Sequence, residues 1–295
     1  MSLNYHHLHY FWSVARFGGV SAAARELHTG AATISTQIKQ LEASLGHPLF
    51  IRRGKGMDLT EDGRTAFLYA DRIFGLGLEL TEALEGRSQM PLRVGVADVM
   101  PKLLVHHLLE PALDLDEPVR LVCEEGHPDE LLAALAVHRL DLVLSDAPIP
   151  THVDVRAYNH VLGECAIALF ATSELGRTYG GDLPASLHEA PFLLPGPRTA
   201  LRRALDHWFE DAGFSPHIVG EFDDGALLKV FGQAGRGVFA GPNAIADAIC
   251  ANYGLERIGI VEDRTERFFA ITGERRLHHP VVKAICEAAK ERIFV

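Results

Sequence analysis

The sequence predicts an α+β chain of several parts: a small three-helix unit with a two-stranded wing, one long helix, and two α/β lobes. Three patterns predict it: short apolar stripes of helical period at the start, a longer apolar stripe after them, and alternating strands and helices over the last two hundred residues. The predicted boundaries are 1–59, 60–88 and 89–295. We assign lobe one to about 91–162 and 265–295, and lobe two to about 163–264.

Charge is divided unequally along the chain. Residues 1–57 contain six Lys/Arg and two acids, which gives +4, whereas the remaining residues contain 22 bases and 37 acids, which gives −15. A mildly basic module on an acidic body indicates that only the N-terminal part meets phosphate groups. The four cysteines are widely spaced, which is typical of unpaired thiols in a reducing compartment.

The first fifty residues predict three short helices that share one small core. Apolar residues at helical spacing indicate a first helix over 6–17, which Gly18-Gly19 end. Ser21 is the predicted N-cap of a second helix that runs to Leu27. A third helix begins at residue 29 or 30, and Gly46 ends it.

The third predicted helix has an uncharged polar face. Its apolar stripe consists of Ile34, Ile38, Leu41 and Leu45, so the opposite face presents hydroxyl, amide and ammonium groups: Thr33, Ser35, Thr36, Gln37, Lys39 and Gln40. Such donors and acceptors suit base edges in the major groove of DNA, and a lysine suits a phosphate. An ordinary solvated helix face is the alternative interpretation.

The segment PLFIRRGKGMDLT favours the DNA interpretation. It contains a short apolar run, a basic glycine-containing turn and a second apolar run, which together predict a two-stranded wing. Arg52, Arg53 and Lys55 lie near its tip, from which they can reach backbone phosphates or the minor groove.

Residues 60–86 predict a long helix with a broad apolar face, capped by Thr60-Glu61-Asp62. A helix between two domains needs something to cover such a face. Packing against the same helix of a second copy is the simplest answer, and burial against the chain's own body is the alternative.

These features together resemble the LysR-type transcriptional regulators. The resemblance rests on AAARELHTGAATISTQIKQLEASLGHPLF, on RRGKGMDLTEDG and on the long helix. It implies a winged helix-turn-helix whose third helix enters the major groove, with Ser35, Thr36 and Arg52 or Arg53 at the family's contact positions. Ala31-Ala32 stand where many members carry Gln-Pro, so two common contacts are missing. The family usually forms homotetramers from two homodimers and bends promoter DNA.

The last two hundred residues predict two α/β lobes with a cleft between them. Small ligands bind in such clefts, where strand ends meet helix N-termini. The residues predicted at those ends are Asp98, Val99, Ser145, Asp146, Arg198, Thr199, Asp223, Asp224 and Gly241. By resemblance, this is the effector-binding domain of the family, which is similar to periplasmic binding proteins.

Further segments, among them NYHHLHYFWSVA, GVADVMPKLLV and GEFDDGALLKVFG, resemble the NhaR branch of that family. This branch comprises activators of a sodium/proton antiporter gene that respond to sodium. A hard cation such as sodium takes oxygen ligands, which the four predicted cleft aspartates would offer. However, Asp223-Asp224 also suits a helix cap, and Arg198 favours a small organic anion. Histidine pairs at 6–7, 106–107 and 278–279 leave a response to pH open as well.

An enzyme and a solute-binding protein that does not bind DNA are the alternative protein classes. The sequence has none of the local motifs of nucleotide-binding, metalloprotease or serine-hydrolase sites, so no enzyme activity, cofactor or metal is expected. It also has no signal-peptide pattern and no apolar run long enough to span a membrane, so a cytoplasmic location is expected. The expected partners are double-stranded promoter DNA, further copies of the chain, a small effector and, for an activator, RNA polymerase.

Overall fold

The computed structural model describes residues 3–53, 56–84, 91–115, 119–153, 155–275 and 279–294. The chain divides into two compact units, residues 1–90 and 91–295. No helix in the described segments is both long and apolar enough to cross a membrane.

The first unit contains three helices, a hairpin and a long helix, in the predicted order. The helices are α1 Tyr5–Phe17, α2 Val20–Glu26, α3 Ala31–Leu45 and α4 Glu61–Leu84, and the strands are β1 Phe50–Arg53 and β2 Gly56–Leu59. They share one apolar core, in which residues such as Phe11, Ile34 and Leu41 are fully buried. These helices are short, so they depend on this common core for stability.

Two predicted helix starts in this unit are wrong by one or two residues. Ser21 lies within α2, whose N-cap is Gly19. The third helix begins at Ala31, with Gly30 as its N-cap. Both caps are glycines without a side-chain oxygen, so the hydroxyl-based capping rule could not locate them. The predicted cap at Thr60 is confirmed, because its hydroxyl oxygen accepts a hydrogen bond from the Gly63 N–H at 2.8 Å.

Glycine at position 63 lets the first turn of α4 lie directly on the backbone of Leu49, the residue before the wing. A Cβ atom there would come within 2.0 Å of the Leu49 carbonyl oxygen. On the other side, the Glu42 carboxylate of α3 accepts hydrogen bonds from the backbone of Leu49 and Phe50, at 2.7 and 3.2 Å. Helix α3 therefore fixes where the wing begins.

The second unit contains a six-stranded sheet in the order β4-β3-β5-β10-β6-β9 and a two-stranded sheet β7-β8. The strands are β3 Pro91–Ala97, β4 Arg120–Gly126, β5 Leu142–Ser145, β6 Tyr158–Ala171, β7 Pro191–Pro195, β8 His217–Phe222, β9 Phe239–Pro242 and β10 Glu256–Thr272. The helices are α5 Lys102–Leu113, α6 Pro128–Ala136, α7 Ser173–Tyr179, α8 Ala200–Ala212, α9 Gly225–Gln233, α10 Ala246–Tyr253 and α11 Pro280–Ala288. Two apolar clusters are buried in this unit: one around Leu104 and Leu144 continues into lobe two as far as Ile249, and one around Phe192 and Trp208 lies within lobe two.

The larger sheet is mixed, whereas alternating strands and helices predict a parallel one, so that prediction is wrong for part of the sheet. Strands β3, β4 and β5 run parallel, and so do β7 and β8. Strands β6 and β10 pair antiparallel along almost their whole length and extend through both lobes. They are the two connections that carry the chain from one lobe to the other, so a cleft lies between the lobes.

Candidate functional sites

The polar face of α3 is exposed as predicted. The side chains of Thr33, Ser35, Thr36, Lys39 and Gln40 are exposed, and that of Gln37 is half-buried. Ile34, Ile38 and Leu41 on the opposite side are buried, which fixes the rotation of the helix about its axis. The exposed face therefore consists of small polar groups and one lysine.

The two hydroxyls at the centre of this face are held by the helix itself. Ser35 Oγ donates a hydrogen bond to the Ala31 carbonyl at 3.0 Å, and Thr36 Oγ1 donates to the Ala32 carbonyl at 2.9 Å. Each oxygen keeps lone pairs that can accept from a base or a bound water. At the amino end of α3 no described side chain caps the helix, which leaves its first N–H groups available to an anion.

The wing is a regular antiparallel hairpin. Phe50 pairs with Leu59, and Arg53 pairs with Gly56. Arg52 and Arg53 therefore occupy the end of β1 nearest the tip. Lys55, the third basic residue predicted at the tip, lies outside the described residues, and so does Gly54.

A cavity of about 250 Å³ lies between the two lobes of the second unit. Seven of the nine residues predicted for the cleft line it: Asp98, Val99, Ser145, Asp146, Arg198, Thr199 and Asp223. They come from the ends of β3, β5, β7 and β8, so the rule that ligands bind at the carboxyl ends of strands locates this site.

Asp146 connects the two sides of the cavity. Its Oδ2 accepts a hydrogen bond from the Ala200 N–H at 3.3 Å, in the first turn of α8. Burial raises the pKa of this carboxyl group, and the nearby charge of Asp98 adds to the rise, although the Ala200 N–H and Arg203 oppose it. Protonation of Asp146 is thus sensitive to what occupies the cavity.

A helix-capping hydrogen bond positions Thr199, and a close contact with a glycine positions Asp223. Thr199 Oγ1 caps α8 by accepting from the Arg202 N–H at 3.0 Å. The Asp223 carboxylate lies so close to Gly196 that a Cβ at that position would meet its Oδ1 at 2.1 Å. Gly196 therefore makes room for an acid at the cavity wall.

Two residues predicted for the cleft are not brought to this cavity. Asp224 Oδ1 accepts from the N–H groups of Ala226 and Leu227 at 2.6 and 2.8 Å, so it caps α9. These hydrogen bonds lower the pKa of Asp224, as is usual for an acid at a helix N-terminus. Gly241 is buried within β9, where it pairs with Ala168 of β6.

The structure adds polar residues to the cavity that sequence analysis missed: His127, Asp129, His152 and Arg203. The same strand-end rule could have predicted His127, because this residue follows β4 and precedes Pro128, the first residue of α6. Arg203 follows one turn after the α8 cap and could not be assigned without knowing which face of α8 meets the cleft.

Comparison with known proteins covers both units. Residues 5–64 match the model for bacterial regulatory helix-turn-helix proteins of the lysR family, and residues 85–293 match the LysR substrate binding domain. The chain belongs to the LysR family. It is a transcriptional regulator by family, with a helix-turn-helix in its first unit and the family's ligand-binding fold in its second.

One relative of this LysR-type regulator matches along nearly the whole chain. Transcriptional activator protein NhaR of Escherichia coli K12 is 37% identical over 294 residues, which is 99% of this chain and 97% of the relative.

The fold is similar to that of solved LysR-type structures. Full-length CbnR, complexed with its target DNA, has a TM-score of 0.60 at 21% identity and covers 97% of this chain and 99% of its own. Full-length LysG from Corynebacterium glutamicum, with bound effector Arg, has a TM-score of 0.65 at 17% identity and covers 99% and 100%.

Proposed function

We propose that this LysR-type regulator is a transcriptional activator of the NhaR kind, which binds promoter DNA and responds to sodium or pH. The full-length identity of 37% with NhaR carries the proposal, because it extends through the ligand-binding unit as well as the DNA-binding one. In the branch that this chain resembles, the regulated gene encodes a sodium/proton antiporter. A promoter-binding regulator of this kind works in the cytoplasm, together with RNA polymerase.

DNA binding is assigned to the exposed face of α3 and to the wing. The back-bonded hydroxyls of Ser35 and Thr36 and the amide of Gln37 would meet base edges, whereas Lys39 and the uncapped start of α3 would meet phosphates. CbnR, which shares the fold, was solved on its target DNA. Arg52, Arg53 and Lys55 of the wing would add phosphate or minor-groove contacts.

Dimerisation is assigned to α4. Large apolar side chains on this helix stay exposed in the single chain, and three of them, Tyr69, Leu76 and Leu80, fall within a narrow stripe at 47–60% exposure. Ile73, which also packs against the core of the first unit, lies between Tyr69 and Leu76 in the same stripe. The four residues are therefore spaced by four, three and four positions, which is typical of helices that pair. A second copy of the same helix would cover the stripe, and two such dimers would form a tetramer.

A glutamate in this stripe should prevent dimerisation. Leu80→Glu would place a charge in an apolar helix pair, and we expect monomers at micromolar concentration in light scattering after size-exclusion chromatography. Thr81→Glu is the matched control, because Thr81 lies on the same turn about 100° around the helix from Leu80. A Leu80→Glu protein that keeps the oligomeric state of the wild type would contradict the assignment.

The effector is assigned to the cavity between the lobes. Its described lining has four aspartates, Asp98, Asp129, Asp146 and Asp223, against two arginines, Arg198 and Arg203, and the excess of acid favours a small cation such as sodium. A small organic anion is the second candidate, favoured by the two guanidinium groups at the start of α8. Either ligand would favour one relative orientation of the lobes and so change the affinity of the oligomer for promoter DNA.

Thermal unfolding distinguishes the two ligands. At constant ionic strength and pH, sodium should raise the Tm more than potassium, and Asp98→Asn should abolish the difference. Glu130→Gln, an exposed acid on α6 that does not line the cavity, should keep it. Equal effects of sodium and potassium would discard sodium as the ligand, and a rise with succinate that is lost in Arg198→Met would establish the anion instead.

A further inference from the structure

The outer face of α5 carries two adjacent histidines and a glutamate. His106 and Glu110 are exposed and His107 is half-buried, whereas Leu104 and Leu108 on the inner face are buried in lobe one. Glu110 follows His106 by four residues and His107 by three, so it lies beside both on the helix surface. None of the three lines the cavity between the lobes.

The three side chains converge closely enough to share one ion. One possible donor atom from each lies within 4.8 Å of the other two. Zinc–ligand bonds of about 2.0–2.1 Å put tetrahedral donors roughly 3.3 Å apart, so small side-chain rotations on one rigid helix would close the remaining gap. The imidazole rings, with centroids 5.4 Å apart and planes at 73°, are not stacked on each other.

The donors also have no competing partners. Within the described chain, the side chains of His106, His107 and Glu110 make no hydrogen bond or ion pair with another residue. No other set of three His, Cys, Asp or Glu side chains in the described segments brings its donors this close. Free donors that already converge lose little conformational entropy on binding a metal.

We propose that His106, His107 and Glu110 form a surface site for a divalent transition metal such as Zn²⁺, with water in the remaining coordination position. Two imidazoles and one carboxylate suit Zn²⁺, Cu²⁺ or Ni²⁺, whereas sodium, magnesium and calcium prefer oxygen ligands alone. The site is therefore chemically different from the cavity between the lobes. Because imidazole must be neutral to bind a metal, affinity should fall as the solution is acidified.

The test is a zinc titration of the full chain against a chromophoric chelator. The wild type should bind one Zn²⁺ with at least tenfold higher affinity than His106→Ala or His107→Ala, and Glu110→Gln should weaken binding by a smaller factor. Far-UV circular dichroism without metal serves as the folding check, since the substituted side chains are not part of the core. The affinity of the wild type for zinc should also fall as the solution is acidified.

His207→Ala is the matched control, because His207 is an exposed histidine on α8 that belongs to no such group. It should bind zinc as the wild type does. Cobalt gives a second readout: its visible absorption bands should show nitrogen and oxygen ligation in the wild type and be lost in the double variant His106→Ala/His107→Ala. Equal zinc affinity and stoichiometry in the wild type and this double variant would overturn the proposal.

Discussion

The double variant Ser35→Ala/Thr36→Ala should lose roughly 10- to 100-fold in affinity for its promoter while non-specific DNA binding stays near that of the wild type. A good bidentate base contact is worth about 1–3 kcal/mol, and two single hydroxyl contacts together should cost about as much, whereas phosphate contacts carry the non-specific part. Lys39→Ala should behave differently. It should weaken binding to all sequences alike and make the dependence of affinity on salt less steep.

Thr178→Ala is a matched control for the hydroxyl variants. Thr178 is exposed on α7, and its Oγ1 donates to the Glu174 carbonyl at 3.1 Å, which is the same back-bond that Ser35 and Thr36 make. It should leave promoter binding unchanged, and fluorescence anisotropy with specific and scrambled duplexes measures both variants. If Ser35→Ala/Thr36→Ala bound the promoter as the wild type does, α3 would not be the reading helix.

The second large effect concerns a buried acid on β10. Glu266 is 8% exposed and lies opposite Cys165 of β6, where the two long strands pass between the lobes. Its Oε2 finds no hydrogen-bond partner among the described residues. Lys229 of α9 is similarly buried, but its Nζ donates to the Gly225 carbonyl at 3.0 Å. Burial raises the pKa of Glu266 to about 8, the charge of Asp146 adds to the rise, and Lys229 opposes it.

This raised pKa should make the protein less stable as pH rises. The folded chain holds the Glu266 proton up to about pH 8, whereas an unfolded chain releases it near the ordinary value of 4.5. Between these values the folded state binds more protons, so the free energy of unfolding falls as pH increases. At about 1.4 kcal/mol per pKa unit, the fall amounts to roughly 4 kcal/mol between pH 5 and 9.

Glu266→Gln should remove this contribution. Relative to the wild type, the variant should gain stability from pH 5 to about pH 8 in urea unfolding. Above about pH 8 the gain levels off, because the folded wild type also releases the Glu266 proton there. A constant difference between the two proteins across this range would show that Glu266 does not titrate there.

Glu164→Gln on the paired strand provides a control of opposite sign. Glu164 is exposed and accepts hydrogen bonds from Thr265 and Arg267, which lower its pKa. Its charge therefore stabilises the fold above its ordinary pKa, and the contribution disappears as pH falls. The variant should be less stable than the wild type at neutral pH and approach it in acid.

Local sequence rules located most of the cavity lining and the exposed polar face of α3. Strand ends followed by helix starts identified Asp98, Asp146 and Thr199 because the carboxyl ends of parallel strands converge on one edge. The same rules could not separate Asp223, which faces the cavity, from its neighbour Asp224, which caps α9. Adjacent residues at the end of a strand point in opposite directions, and the local sequence does not determine which of the two faces the cavity.

The parts that sequence missed depend on long-range pairing. The apolar runs CAIALFA and RFFAITGE by themselves predict short strands, but they belong to strands of 14 and 17 residues that pair with each other about a hundred positions apart along the chain. The other half of each strand mixes polar and apolar residues and is mostly exposed, so it has no continuous apolar run. Glu266 lies within this pairing, and only the fold shows that its side chain is buried.

The most direct test of promoter binding is a fluorescence-anisotropy titration of the full chain with duplex DNA from upstream of a neighbouring antiporter gene. Sodium would be titrated against potassium at fixed ionic strength and pH. We expect tight binding that weakens steeply with total salt and changes specifically with sodium. Tight binding without a difference between the cations would keep the regulator and remove sodium as its direct ligand. The absence of binding to any candidate promoter at low salt would contradict the central claim that the first unit reads DNA.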